Sequence, residues 1–234
     1  MSLYFEEEPI FSCLTAAACA TEETESVSGD SYSFLETDDS VAMILSDGVG
    51  SGESAARDSG RIVDLTERIL DAGLGPDMAM LFLNGMAGAE GDENRMATLD
   101  LCRIDLYRGE CETVKAGGAA GFIKRSDRVE KIQSRQLPLG MSASEDISEK
   151  KWQLNSGDLV ILVSDGVVQN WPCGDGEYLL EQKIASLNVS SPVDLANLIL
   201  RYAIRQCGGK IRDDMTVLVT GIWKNEEREI EDIE

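Results

Sequence analysis

Short apolar runs separated by polar turns recur along this chain and predict a series of β-strands. Two of them, 41–45 (VAMIL) and 159–163 (LVILV), are uninterrupted and rich in Val, Ile and Leu, which is typical of buried strands. Elsewhere, small residues or an alternation of apolar and polar residues indicate further strands. In chain order, strands are expected over 11–20, 31–36, 41–46, 96–107, 111–117, 121–125, 128–133, 147–154, 158–164 and 215–223.

Apolar residues with helical spacing form two separate groups. Four helices are expected, over 53–72 up to Gly73, from Pro76 through MAMLFLNGMAGA, over 177–187, and from the capping pair Ser191-Pro192 through Arg205. The order is strands, two helices, strands, two helices and a strand. It predicts an α+β fold in which pairs of helices flank an antiparallel β-sandwich.

The remaining segments complete the expected layout. Residues 88–94 (GAEGDEN) are expected to be a loop. A length of 234 residues with 43% hydrophobic content is sufficient for one domain, which we place over 1–223. The charged segment 224–234 is expected to be a flexible tail.

The net charge of -22 restricts the partners that can be expected. Nucleic acids and anionic membrane surfaces bind basic patches, so neither is expected as the main partner. The N-terminus MSLYFEEEP is acidic where a signal peptide is basic, and no apolar stretch approaches the length that spans a membrane. We expect a cytoplasmic location, either as a whole protein or as the cytoplasmic domain of a longer membrane protein.

Histidine is absent, which excludes Ser-His-Asp catalysis, Cys-His catalysis and His-ligated zinc sites. The six cysteines form no C-x-x-C pair, and we expect them to be free thiols in a reducing compartment. Any metal must therefore be held by oxygen or thiolate ligands. With carboxylates as ligands, Mg²⁺ or Mn²⁺ fits better than a softer metal.

The tetrapeptide SDGV occurs twice, at 46–49 and 164–167, each time directly after a continuous apolar run. Each copy places an Asp, Asp47 or Asp165, where a buried strand turns at the edge of its sheet. If the two strands are neighbours, these acids converge. Asp30 and the pair Asp213-Asp214 flank strand-like segments in the same way, and together these acids indicate a site for hard divalent cations.

Two other interpretations apply to the same residues. Asp-Gly is also the commonest turn dipeptide, and a chain with 22 glycines contains several by chance. The Gly-rich stretch 48–52 follows a strand and precedes a helix, as a dinucleotide-binding turn does, but its spacing is G-x-G-x-G. That spacing favours a tight, mobile turn in which Gly48 offers its carbonyl to a metal.

Seven segments together resemble the metal-dependent protein phosphatases of type 2C, and among them the bacterial branch typified by the stage II sporulation protein E phosphatase. The resemblance covers about residues 10–223, and the acidic pair followed by MTV is among its most specific parts. In chain order the segments are SGDSYSF at 28–34, SDGVGSGESA at 46–55, ATLDL at 97–101, KAGGAAGFI at 115–123, LPLG at 137–140, GDLVILVSDGV at 157–167 and RDDMTVLV at 212–219.

The resemblance implies a centre of two Mn²⁺ or Mg²⁺ ions that activate a water for in-line attack on a phosphomonoester. In it, Asp47 would bridge the ions. Many family members have Asn or Asp at the position of Asp214, which is a further candidate. The implied ligands are Asp30, Asp47, the carbonyl of Gly48, Asp165 and Asp213.

The resemblance also implies a function, the dephosphorylation of a phosphoserine or phosphothreonine on an anti-anti-sigma-type regulator in sporulation or stress signalling. Segment 52–89 is then either a pair of switch helices hinged at Gly50, Ser51 and Gly52, or an ordinary packed helical layer. Two alternatives are a catalytically silent or partner-activated binding module of the same fold, and a phosphotransfer enzyme with an aspartyl nucleophile. Both a monomer and a homodimer are compatible with the sequence.

Overall fold

Two five-stranded antiparallel sheets pack face to face in this computed structural model, which describes residues 8–90, 97–133, 137–141, 149–169, 171–172 and 174–226. The first sheet has the order β1 (Phe11–Ala20), β10 (Met215–Lys224), β9 (Leu159–Val163), β6 (Gly121–Lys124) and β7 (Val129–Ile132). The second sheet has the order β2 (Asp30–Glu36), β3 (Ser40–Asp47), β4 (Leu99–Asp105), β5 (Glu110–Ala116) and β8 (Lys150–Gln153). The predicted α+β sandwich is confirmed.

A pair of helices covers the outer face of each sheet. The helices are α1 (Gly52–Asp71) and α2 (Pro76–Glu90) on the second sheet, and α3 (Gly176–Ser186) and α4 (Pro192–Gln206) on the first. As predicted, Ser191 caps α4, where its hydroxyl accepts a hydrogen bond from the Asp194 N–H at 3.3 Å. In the part of the chain that the structure describes, no helix combines the length and apolarity needed to cross a membrane.

The two continuous apolar runs are buried because each contacts a neighbouring layer on both faces. Leu45 and Leu162 lie in the apolar layer between the sheets. Ile44 faces the opposite way and packs under α1 and α2, while Ile161 packs under α3 and α4. A strand in this position has no solvent face, so it shows no alternation of apolar and polar residues.

Two details differ from the sequence expectations. β3 and β9 are not neighbours, because they belong to different sheets, so the two SDGV copies meet across the sandwich. The loop expected at 88–94 is wrong for 88–90, where α2 continues to Glu90; a single glycine costs a helix only about 1 kcal/mol, which is too little to end it. The rest of that expected loop, 91–94, and most of the expected tail, 227–234, lie outside the described residues.

Candidate metal centre

Two of the predicted acids meet on the second sheet. Asp30 is the first residue of β2, Asp47 is the last residue of β3, and the antiparallel register places them directly opposite each other. Asp30 is buried, with 9% of its surface exposed. Like charges directly opposite on adjacent strands destabilise a sheet. This pair therefore needs protons or cations to offset its repulsion.

The first sheet brings two more acids to the same end of the sandwich. Asp165 follows β9 and opens a short 3₁₀ turn, Asp165–Val167, and Asp213 stands two residues before β10. β9 and β10 are adjacent, so their ends lie side by side. The negative charges of Asp165 and Asp213 both lie close enough to Asp47 to raise its pKa. The four acids thus come together from both sheets; Asp47 and Asp165 lie at the ends of strands in different sheets and not, as the sequence suggested, of neighbouring strands.

Burial and mutual repulsion raise the pKa values of Asp30, Asp47 and Asp213. Burial, with added repulsion from Asp214 and Asp165, raises the pKa of Asp30 to about 7, although nearby hydroxyls oppose the rise. Burial and then the charges of Asp30 and Asp165 raise the pKa of Asp47 to about 8. The pKa of Asp213 is also raised, first by burial and then by Asp165. Each group is held in an environment that disfavours its negative charge.

The chemistry of this cluster fits divalent cations. Both side-chain oxygens of Asp30 are buried and accept no hydrogen bond from the described residues. Carboxylate oxygens are the ligands that Mg²⁺ and Mn²⁺ prefer. Among the described residues, however, no three Asp, Glu or Cys side chains are close enough to hold one ion as they stand. The fit to divalent cations therefore rests on the chemistry of the donors.

The glycines of the two SDGV copies are required by close backbone contacts. A Cβ on Gly48 would lie 2.2 Å from the carbonyl oxygen of Ala55 in α1, and a Cβ on Gly166 would lie 2.2 Å from that of Asp214. A larger residue at either position would push a neighbouring segment away from the acids. The Asp-Gly dipeptide thus marks tight packing beside each candidate ligand, in addition to a turn.

Sequence reasoning missed two residues that hold the candidate ligands. The Thr98 hydroxyl accepts a hydrogen bond from the Asp47 N–H at 3.0 Å, and the Thr98 N–H donates to the Asp47 carbonyl at 2.8 Å. The Gln169 amide donates to Asp165 Oδ2 at 2.5 Å. Thr98 belongs to the ATLDL segment, but Gln169 gave no signal, since a Gln in a turn has many possible roles.

Asp214 differs from the other acids because both of its side-chain oxygens are already engaged. Oδ1 accepts a hydrogen bond from the Glu22 N–H at 2.9 Å, and Oδ2 accepts one from the Gly29 N–H at 2.6 Å. Its side chain therefore points towards the β1–β2 loop, which carries Asp30 at its end.

A cleft of about 460 Å³ opens beside Asp165. Its lining combines the Gly117-Gly118 turn, the start of α3 and the turn after β9. Gly117 and Gly118 both have positive φ, 70° and 71°, and a Cβ on Gly118 would lie 3.1 Å from Asp100. Because these glycines have no side chains, they leave space in the cleft next to the acidic cluster.

Comparison with known proteins identifies relatives that match most of this chain. The family model described as Stage II sporulation protein E (SpoIIE) matches residues 37–222. Stage II sporulation protein E of Bacillus subtilis strain 168 is 36% identical over 213 residues, which are 90% of this chain and 26% of that protein. The phosphoserine phosphatase RsbU of the same organism is 24% identical over 200 residues, 82% of this chain and 59% of that protein.

A solved structure agrees with this relationship. The PP2C phosphatase domain of the cell fate determinant SpoIIE from Bacillus subtilis, solved with a fragment of its regulatory domain, superimposes with a TM-score of 0.87 at 34% identity. The match covers 92% of this chain and 64% of that one. This chain spans about a quarter of the length of the Bacillus subtilis sporulation protein. It belongs to the stage II sporulation protein E family and has the fold of that family's PP2C phosphatase domain.

Proposed function

We propose that this chain is a metal-dependent protein phosphatase that removes phosphate from a phosphoserine or phosphothreonine of a partner protein. The observation that carries the proposal is the convergence of Asp30, Asp47, Asp165 and Asp213 from four strand ends. Family membership and the name of the relative RsbU, a phosphoserine phosphatase, support the same reaction class.

The proposed ligands of two cations, Mn²⁺ or Mg²⁺, are Asp30, Asp47, Asp165, Asp213 and the carbonyl of Gly48. When bound, such cations stabilise the charge of the reacting phosphoryl group and increase the acidity of water. Asp47 has the central position, because Asp30 lies opposite it on its own sheet while Asp165 and Asp213 approach from the other sheet. This arrangement supports the bridging role for Asp47.

Residues of the chain also orient these ligands. Thr98 forms hydrogen bonds with both the N–H and the carbonyl of Asp47, and the Gln169 amide donates to one oxygen of Asp165. The lack of histidine means that no imidazole protonates the leaving serine or threonine oxygen. We therefore assign the work of this chain to positioning and electrostatics.

The proposed substrate is a small anti-anti-sigma-type regulator. The cleft beside Asp165 supports a protein substrate, since its 460 Å³ can accept a short segment on either side of the phosphorylated residue. We place the domain in the cytoplasm. The cysteine pattern of the sequence supports this, since its six cysteines form no C-x-x-C pair.

A partner-activated form of the same enzyme is the second candidate. It is favoured by the turn that joins β3 to α1, which directly follows the candidate ligands Asp47 and Gly48 and contains two glycines with positive φ. Gly50 and Gly52, with φ of 99° and 69°, and Ser51, which donates to Glu25 at 2.8 Å, are the proposed hinge of α1. A shift of α1 would move Gly48, because the two are in contact at Ala55.

The test is release of inorganic phosphate from a phosphoserine protein with Mn²⁺, with Mg²⁺ and with EDTA. We expect activity that requires the metal and is lost in Asp47→Asn and Asp165→Asn. The matched control is Asp38→Asn, since Asp38 is an exposed acid in the turn at the opposite end of β2 and β3. Activity that persists in EDTA, or that is lost equally in the control, would contradict the proposal.

A further inference from the structure

We infer that Asp214 is a positioning residue, which ties together the segments that carry the candidate ligands, and that it does not itself bind the metal. The inference rests on the proposed function, because that function makes these segments the carriers of metal ligands. The hydrogen bonds themselves are a property of the metal-free chain.

The first link joins Asp214 to the β1–β2 loop. Asp214 is buried, with 7% of its surface exposed, and its two oxygens accept the N–H groups of Glu22 and Gly29 at 2.9 and 2.6 Å. These contacts span 192 and 185 residues of sequence. Hydrogen bonds to an ionised carboxylate are about twice as strong as neutral ones. One side chain therefore closes both ends of this loop onto β10.

Through Gly29, the loop also positions two candidate ligands of the second sheet, Asp30 and the carbonyl of Gly48. Gly29 directly precedes Asp30, and the Gly29 carbonyl accepts the Gly48 N–H at 3.3 Å. Space at Gly29 is restricted, because a Cβ there would lie 3.0 Å from the Ala55 Cβ and 3.4 Å from Asp214 Oδ2. The position of Gly29 thus depends on Asp214, and the positions of Asp30 and Gly48 depend on Gly29.

The backbone of Asp214 makes the link to the first sheet. Its carbonyl accepts a hydrogen bond from the Ser164 hydroxyl at 3.3 Å and lies against Gly166. Ser164 and Gly166 are the two neighbours of Asp165 in the chain. Asp213 is adjacent to Asp214 in sequence. Asp30, Asp165 and Asp213 are therefore next in the chain to Asp214 or to a residue that contacts it, and Asp47 is linked to it through Gly48 and Gly29.

The geometry also explains why a carboxylate is required here. Two N–H donors approach the two oxygens of one side chain, and only Asp or Glu offers two acceptors. In Asp214→Asn the amide group faces one of these donors with another N–H, so one bond is lost and two donors oppose each other. A metal ligand, in contrast, directs at least one oxygen towards the ion.

The two roles predict different behaviour in the absence of metal. Amide hydrogen exchange, followed by NMR in EDTA, reports the opening of the loop at Glu22 and Gly29 without any contribution from activity. We expect slow exchange in the wild type and exchange about tenfold faster or more in Asp214→Asn, the loss of one charged hydrogen bond. The matched variant is Asp213→Asn, which keeps an oxygen for its bond to the Asp214 N–H and should leave both amides protected.

Metal titration completes the experiment. In Asp214→Asn, the Mn²⁺ concentration for half-maximal phosphate release should rise while kcat at saturating Mn²⁺ stays within a few-fold of wild type. Asp213→Asn should lose kcat itself. Fast exchange of the Gly29 amide in the metal-free wild type would overturn the inference even if the variant does not fold. Wild-type exchange rates in a folded Asp214→Asn protein would also overturn it. If neither protein is active but the exchange rates follow the prediction, only the proposed function fails.

Discussion

Replacing Asp30 by Asn should stabilise the metal-free protein at pH 8 although it removes a candidate ligand. Asp30 is buried, directly opposite Asp47, and its oxygens accept no hydrogen bond from the described residues. In the folded protein its pKa is raised to about 7 from the usual 3.8 of an aspartate, chiefly by burial. The folded state therefore binds this proton more tightly than the unfolded state, so wild-type stability falls as pH rises from about 4 to 7.

The magnitude follows from the same shift. A rise of about three pKa units, at about 1.4 kcal/mol each, makes the ionised Asp30 cost about 4 kcal/mol at pH 8. A buried amide without partners costs about 1–3 kcal/mol, so the net gain of Asp30→Asn is about 1–3 kcal/mol at that pH. About two thirds of this cost develops as the pH rises from 5 to 7. The gain should therefore shrink by about 3 kcal/mol between pH 8 and pH 5, and this difference does not depend on the amide cost.

The assay is urea denaturation of both proteins in EDTA at pH 5 and pH 8, followed by tryptophan fluorescence. We expect the free energy of unfolding of Asp30→Asn to exceed that of wild type at pH 8 and to lose this advantage at pH 5. Added Mn²⁺ should stabilise only the wild type, because ligands that bind the native state raise its stability. A variant that is equally or less stable at pH 8, with the same difference at both pH values, would refute the cost assigned to the buried charge of Asp30.

Three further substitutions test the surroundings of the site. Gly48→Ala should cost about 1–3 kcal/mol of stability and abolish phosphate release, because its Cβ would displace Ala55 of α1; urea denaturation and activity measure the two effects. Lys115→Met should cost about 3 kcal/mol in denaturation, since it leaves Asp100, its buried partner at 2.5 Å, without its counter-ion. Gln169→Ala should raise the half-saturating Mn²⁺ concentration roughly tenfold in activity titrations, with unchanged stability.

Each substitution has its own control and contradicting result. Gly60→Ala, inside α1 with its nearest neighbouring atom 3.6 Å from the new Cβ, should be tolerated, and equal damage from both glycine variants would contradict the packing argument. The double variant Asp100→Asn with Lys115→Met should recover most of the lost stability. No recovery would mean that the loss reflects packing of the lysine stem and not the lost counter-ion. Gln169→Glu should weaken Mn²⁺ binding as Gln169→Ala does, because it cannot donate to Asp165 when ionised; unchanged binding in either variant would contradict the positioning role.

The sequence predicted the strand and helix order because each element has a local signature. The runs at 41–45 and 159–163 are too apolar for any position except a layer between other layers, and the Ser191-Pro192 pair marks the start of α4. The loop expected from residue 88 was wrong for 88–90, which overlap the end of the helix expected through MAMLFLNGMAGA, since the local cues for a loop there are weak. Local patterns thus sufficed for the elements and not for all their limits.

The pairing of these elements is not local, and this limited the prediction of the site. Asp30 and Asp47 are recognisable as acids at strand ends, but their direct opposition depends on the register of β2 against β3. The convergence of Asp47 with Asp165 occurs across two sheets and not between neighbouring strands. The hydrogen bonds of Asp214 join residues almost 200 positions apart, and no property of the adjacent sequence distinguishes an acid that binds metal from one that binds backbone N–H groups.

The central claim is that carboxylates from both sheets hold two divalent cations at one end of the sandwich. A crystal structure of the protein soaked in Mn²⁺, with anomalous scattering recorded at the manganese edge, tests this most directly. We predict two anomalous peaks between Asp47 and the acids Asp30, Asp165 and Asp213, and their loss in crystals of Asp47→Asn. Peaks at other surface acids only, or none in a crystal with these carboxylates ordered, would contradict the account.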